Sequence, residues 1–158
     1  MSIPAGVVLL LCLFLPAVKG CGDQAVYPLE VPYFWHPYLY GGVLAYAAVA
    51  STHRSLRRVT RVVRALTWAV FAGGVLMTAT SFAFGIVLLG IGVVLLGAIG
   101  TKGVSEKRIA VTGIAVSVMS LLWFGLWSGS SDALIGVYMS LGASIFLLAG
   151  SLQWLSEI

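Results

Sequence analysis

The stretch Ser51-Thr52-His53-Arg54-Ser55-Leu56-Arg57-Arg58-Val59-Thr60-Arg61-Val62-Val63-Arg64 decides how the rest of this chain is arranged. It holds five of the nine Lys and Arg residues of the protein, and long uncharged apolar segments lie on both sides of it. The five arginines recur at helical spacing and share one helix face: Arg54, Arg57, Arg58, Arg61 and Arg64. The sequence therefore predicts an amphipathic helix at a membrane surface, continuous with the apolar segment that follows it.

The composition indicates a membrane protein. Of the 158 residues, 60% are hydrophobic and 9% are charged, and the mean hydropathy is +1.06. Such a chain cannot cover a soluble domain with polar side chains, so we expect its apolar segments to face lipid. The net charge of +4 does not indicate nucleic-acid binding, because the positive charges lie in short segments between apolar spans, where they orient helices.

We predict an all-α, polytopic transmembrane helix bundle that forms a single membrane domain, residues 1–158. The uncharged stretch 65–100 would be about 54 Å long as one helix, nearly twice a hydrocarbon core of about 30 Å, so it must turn back. The polar cluster Thr78-Ala79-Thr80-Ser81 is the predicted turn, and Asp132 is the predicted N-cap of the last span. The six predicted spans are residues 3–18, 37–52, 65–80, 82–100, 109–127 and 133–155.

Two interpretations of the first apolar segment compete. It is either a cleaved signal peptide, which leaves five spans, or a retained first helix, which the lack of a basic residue before it favours. The sequence Val18-Lys19-Gly20-Cys21 resembles a bacterial lipoprotein processing site, in which Cys21 would become the lipidated first residue. Lys19, however, stands where that motif has a small residue.

The distribution of charge predicts the orientation of the spans. If the basic segment 53–64 is cytoplasmic, six spans place every Lys and Arg on that side except Lys19. Both chain ends are then cytoplasmic, and the aromatic segment 19–36 lies at the outer surface, where Tyr and Trp are favoured. The ordinary role of the arginine stripe is to fix this topology. A more specific role is docking to anionic lipid or to an acidic partner, for which five arginines set an upper limit of about 5 kcal/mol.

Residues Phe84 to Trp127 form a glycine-rich helix, a short basic loop and a second helix that begins Ile109-Ala110-Val111-Thr112-Gly113-Ile114. This part, under a third of the chain, resembles an uncharacterised two-helix hairpin of bacterial membrane proteins. The resemblance implies no activity. We expect the protein in the bacterial inner (plasma) membrane.

Residues that carry chemistry are scarce in this sequence. No Asp, Glu, Lys, Arg or His lies inside a predicted span, which argues against ion-coupled and proton-coupled transport because such transporters generally hold ionisable groups there. His36, among aromatic residues at the outer surface, is the one candidate to touch a quinone, a pigment or a partner subunit. His36 and His53 lie at opposite ends of one span and cannot share a metal, so we predict no metal site and no cofactor.

Small residues recur along the spans and predict close helix packing. We expect packing faces at Gly85, Gly92, Gly113, Ser117, Gly136, Ser140 and Ser144. These faces exceed what a small bundle needs, which favours a non-catalytic accessory or structural subunit of a larger membrane complex. The alternative is a channel or carrier for a small neutral solute, lined by Thr78, Thr80, Ser117, Ser140 and Ser144. A membrane enzyme that uses Cys21 and His36 is the third hypothesis.

Overall fold

The computed structural model describes residues 2–20, 22–52, 54–99 and 105–158, with the side chains of all these residues except 2, 33, 54–58 and 83. The prediction of an all-α protein is confirmed. The helices of the described ranges are α1 (Ser2–Leu11), α2 (Trp35–Thr52), α3 (Arg54–Thr80), α4 (Phe82–Ile99), α5 (Glu106–Ser128) and α6 (Ile135–Ser156). Two short strands, β1 (Val18–Lys19) and β2 (Ala25–Val26), and short 3-10 turns at Cys12–Phe14, Pro28–Glu30 and Pro32–Phe34 connect α1 to α2.

The prediction of six membrane spans is not supported by the lengths and hydropathies of the helices. Within the described residues, three segments are long and apolar enough to cross a membrane: Val59–Thr80, Glu106–Ser128 and Ile135–Ser156. The apolar helices Ile3–Phe14 and Phe84–Ile99 are shorter. Helix α2 has 18 residues but carries several tyrosines, a histidine and a proline, which lower its hydropathy.

The first apolar segment ends earlier than predicted. Helix α1 stops at Leu11, a 3-10 turn continues to Phe14, and Leu15 is extended, with φ −93° and ψ 146°. Pro16 is the reason, because the residue before a proline is pushed out of the helical region. The predicted span 3–18 is therefore wrong beyond residue 14.

The residues after Leu15 form a small sheet with the start of α6. β1 pairs antiparallel with β2, and Val18 also bridges to Ala133. The Leu134 N–H donates to the Ala17 carbonyl at 2.8 Å, and the Lys19 N–H donates to the Asp132 carbonyl at 2.8 Å. The prediction that Asp132 caps α6 is therefore wrong. The helix begins at Ile135 with Leu134 at its N-cap and no side-chain cap, because the chain there is held by backbone pairing instead.

The bundle has two chemically different ends. We call the end that holds β1, β2 and the turn between α5 and α6 the hairpin end, and the end that holds the start of α3 and the start of α5 the basic end. Helices α3 and α4 form one antiparallel pair, with the turn at Ser81, and α5 and α6 form another. The start of α2 lies at the hairpin end too, because the Phe34 ring just before it packs on the Trp127 ring at the end of α5. The edge-on contact of Trp35 with Phe84 places the start of α4 there as well.

Helix α2 is the centre of the bundle. It contacts α1, α4 and α5, and every residue from 35 to 51 is buried or half-buried. Its Gly41 lets α1 approach closely, because a Cβ built there would lie 2.9 Å from the Gly6 carbonyl oxygen. The largest fully buried side chains of the described residues are Tyr38, Phe124, Leu9, Ile99 and Leu147.

Candidate functional site

The basic segment begins a long helix. Arg54 is the first residue of α3, which continues without a break to Thr80, so all five predicted arginines lie on one helix. At 100° per residue they cover about 120° of its circumference, which makes one stripe. The side chains of Arg54, Arg57 and Arg58 lie outside the described part of the structure. Arg61 is exposed and Arg64 is half-buried.

The pairing of α3 with α4 places the stripe beyond the end of α4. A Cβ on Gly92 would contact Phe71, one on Gly74 would lie 2.8 Å from the Leu89 nitrogen, and one on Gly85 would overlap Thr78. In this antiparallel register residue 64 lies level with Ile99, the last described residue of α4. Residues 54–63 of α3 therefore extend past that residue by about 15 Å. This extension carries four of the five arginines.

His36 lies in an aromatic cluster at the hairpin end. Its ring meets the Trp123 ring edge-on at a centroid distance of 4.7 Å and the Tyr40 ring at 6.0 Å. Phe34 packs against both Trp123 and Trp127, at 6.0 and 5.4 Å. The cluster joins the start of α2 to the end of α5. Its chemistry suits a flat aromatic ligand or a partner surface, but it also suffices to lock two helices together.

No donor set for a metal accompanies His36. Among residues 2–20, 22–52, 54–99 and 105–158, no group of three or more His, Cys, Asp or Glu side chains is placed to hold a metal ion. The roles of His36 as a contact for a quinone, a pigment or a partner stay predictions.

Cys21, the predicted lipidation site, lies outside the described residues. Of the described residues between β1 and β2, Gly22 and Asp23 have φ of 85° and 61°, which is typical of a tight turn. Lys19 and Asp23 pair across this turn at 3.3 Å, with both side chains exposed, so the ion pair adds little stability. Lipidation of Cys21 stays a prediction.

The structure contains a buried cluster of polar groups that the sequence did not predict. The Cys12 thiol, from the 3-10 turn after α1, and the Tyr38 phenol of α2 both lie beside the Ser140 hydroxyl of α6. Tyr38 is fully buried, and among the described residues its hydroxyl makes no hydrogen bond of good geometry. The only signal in the sequence was a thiol and a phenol in two apolar segments, and nothing local indicates that they meet.

The predicted packing residues lie at two helix pairs and at the sheet. Gly85 and Gly92 face α3, as described above, and a Cβ on Gly113 would overlap the Ser151 hydroxyl across the pair of α5 and α6. Gly136 lies against the residues after α1: its N–H donates to the Pro16 carbonyl at 2.9 Å, and a Cβ there would lie 2.5 Å from that oxygen. Ser117, Ser140 and Ser144 are fully buried.

The hydroxyls predicted to line a channel do not come together. Thr78 and Thr80 end α3 at the hairpin end, whereas Ser117, Ser140 and Ser144 lie along α5 and α6. Each donates to a carbonyl of its own helix, at 2.6 to 3.3 Å, so these donors are already occupied. The channel hypothesis stays an untested alternative that no observation favours.

Comparisons with known proteins add no relative: no family model, no curated protein and no solved structure matches this chain.

Proposed function

We propose that this protein is an integral membrane protein and an accessory or structural subunit of a larger membrane complex. The observation that carries the proposal is the position of α3. In the apolar stretch of α3, 11% of the residues are buried, compared with 39% in that of α5 and 44% in that of α6. Helix α3 packs chiefly on α4 and presents a long apolar face to the outside.

The proposal also defines a partner. The exposed face of α3 is apolar along the span and ends in five arginines, with no acidic residue in segment 53–64. The matching partner is a transmembrane helix of another subunit with acidic side chains at the end where the arginines lie. Apolar packing and small-residue contacts join helices in lipid, and the charges add orientation and specificity.

The arrangement in the membrane is part of the proposal. We infer that all six helices cross or enter the bilayer in alternating directions, with the basic end in the cytoplasm, the hairpin end outside and the C-terminus cytoplasmic. Neighbouring helices cover the more polar α2, so it does not need the hydropathy of a lipid-exposed span. One face of α1 packs on α2 and α6, with Ala5 and Leu9 buried, which supports a retained first helix. A bacterial inner membrane is the proposed location.

Photocrosslinking from single positions tests the subunit proposal. We expect a photoreactive residue at Leu76 of α3, which is 73% exposed, to crosslink to one discrete polypeptide in native membranes. The matched control is Leu126 of α5, which is 81% exposed and should yield lipid adducts alone. Equal labelling of a polypeptide from both positions would remove α3 as the specific interface. A lone monomer in mild detergent, with no crosslink from either site, would overturn the proposal.

Neutralisation of the arginine stripe tests the orientation. We expect Arg→Gln changes at all five positions to invert or scramble the accessibility of engineered cysteines at the two ends, because the largest block of positive charge is then lost. The control carries Lys19→Gln and should keep the native orientation. If both orientation and assembly survive the fivefold change, the assigned role of the stripe is wrong.

A further inference from the structure

A crevice at the basic end has the lining of a phospholipid site. It lies between the end of α4 and the start of α5, has a volume of about 460 Å³, and is lined by Leu96, Gly97, Lys107, Arg108, Val111 and Thr112. Two cations are thus the outermost lining groups of α5, and apolar side chains of both helices lie one turn further into the span. No described residue of α3 lines the crevice.

The two halves of this lining demand different chemistry. Lys107 and Arg108 are exposed, and their charges favour an anion at the surface of the bilayer. They also belong to the first turn of α5, where backbone N–H groups lack partners within the helix and add partial positive charge. Glu106 is exposed beside them but does not line the crevice.

The inner half of the crevice is apolar and close-packed. Gly97 brings the two helices together, because a Cβ there would lie 2.8 Å from the Thr112 hydroxyl oxygen. Leu96 and Val111 flank this contact and offer only hydrocarbon. A small phosphate would make no packing contact with these side chains, whereas an acyl chain would. An amphiphile with an anionic head therefore fits both halves of the lining.

We propose that the crevice between α4 and α5 binds one anionic phospholipid, with its phosphate at Lys107 and Arg108 and its acyl chain against Leu96 and Val111. The inference uses the proposed insertion of α4 and α5 in the bilayer but needs no partner subunit.

Native mass spectrometry of the purified chain with added phosphatidylglycerol tests this site. We expect Lys107→Gln/Arg108→Gln to weaken retention of phosphatidylglycerol roughly tenfold to thirtyfold, from about 1 kcal/mol per charge. The matched control, Arg61→Gln/Arg64→Gln, removes the same charge from the same end of the bundle and should change retention less than about threefold. Equal losses in the two variants would show a diffuse basic surface and overturn the site.

Two further measurements identify the occupant. Wild type should retain phosphatidylcholine more weakly than phosphatidylglycerol. The variant with Lys107→Gln and Arg108→Gln should retain the two lipids equally. Glycerol phosphate, which has the head but no acyl chain, should not displace the lipid. If it displaces the lipid at similar concentration, the crevice is a site for a free anion and the lipid assignment is wrong.

A third variant, Leu96→Trp, should lower lipid retention by filling the apolar half, and unchanged retention would count against the acyl-chain contact. Because these titrations use the isolated protein, their failure leaves the crosslinking test of the subunit proposal unaffected.

Discussion

Helices α2 and α3 follow each other in the chain and have opposite surroundings. Helix α2 is enclosed by α1, α4 and α5, whereas α3 packs chiefly on α4 and exposes most of its apolar residues. The more exposed of the two helices is the more hydrophobic one. Val59–Thr80 of α3 is apolar enough to cross a membrane by itself, and α2 is not among the helices that meet this criterion.

The difference shows that apolar content does not follow burial in these two helices. In the proposed membrane arrangement it follows contact with lipid. A helix that faces lipid needs an apolar surface, because lipid offers no hydrogen bonds. A helix that is surrounded by protein needs small side chains that let its neighbours approach, and it tolerates tyrosines. Gly41, Ala45 and Ala48 of α2 are buried in this way, while Leu76 of α3 is exposed.

The sharpest test of this comparison places the same bulk in each helix. We expect Gly41→Leu in α2 to lower the free energy of unfolding by about 3 kcal/mol, the upper end of overpacking costs, because its Cβ would lie 2.9 Å from the Gly6 carbonyl oxygen and 3.0 Å from Leu9. Gly73→Leu in α3 is the matched control, since a Cβ there meets nothing within 4 Å. Unfolding in detergent by increasing SDS measures both. Equal costs would contradict the central position of α2.

Truncation of one leucine in each helix has the next largest effect. Leu44 of α2 is buried and Leu76 of α3 is exposed. We expect Leu44→Ala to cost about 2 kcal/mol, the lower end of core truncations, because lipid solvates the unpacked helix and mainly packing contacts are lost. Leu76→Ala should change the free energy of unfolding by less than about 0.5 kcal/mol in isolated protein. A cost at Leu76 that appears only in native membranes would locate the partner there.

The sequence sufficed to predict the helices and their turn but not their partners. The Arg54–Arg64 periodicity and the turn at Ser81 are local patterns, and the structure has a helix and a turn there. The pairing of Ala17 with Leu134, which replaces Asp132 as the support of α6, joins residues more than a hundred positions apart. Hydropathy also predicted that the first span continues to residue 18, whereas the structure has a shorter α1, because Pro16 acts on the residue before it. The crevice at Lys107 and Arg108 exists only because α4 packs beside α5, and the sequence does not show that contact. The distribution of charge predicted a role in topology alone for these two residues.

The smallest effect concerns one hydroxyl in each helix. The Tyr38 phenol of α2 is fully buried without a hydrogen bond of good geometry among the described residues, whereas the buried Thr67 hydroxyl of α3 donates to the Val63 carbonyl at 2.8 Å. An unsatisfied buried hydroxyl costs free energy, so we expect Tyr38→Phe to raise the free energy of unfolding by about 0.5–1 kcal/mol. Thr67→Val should lower it by less than about 0.5 kcal/mol, because the Val63 carbonyl keeps its backbone bond within the helix. A loss of more than about 1 kcal/mol from Tyr38→Phe would mean that a bound water satisfies the phenol beside Cys12 and Ser140. In that case α2 would contact bound water in the centre of the bundle. It would then differ from the exposed α3 by this hydration as well as by its small side chains.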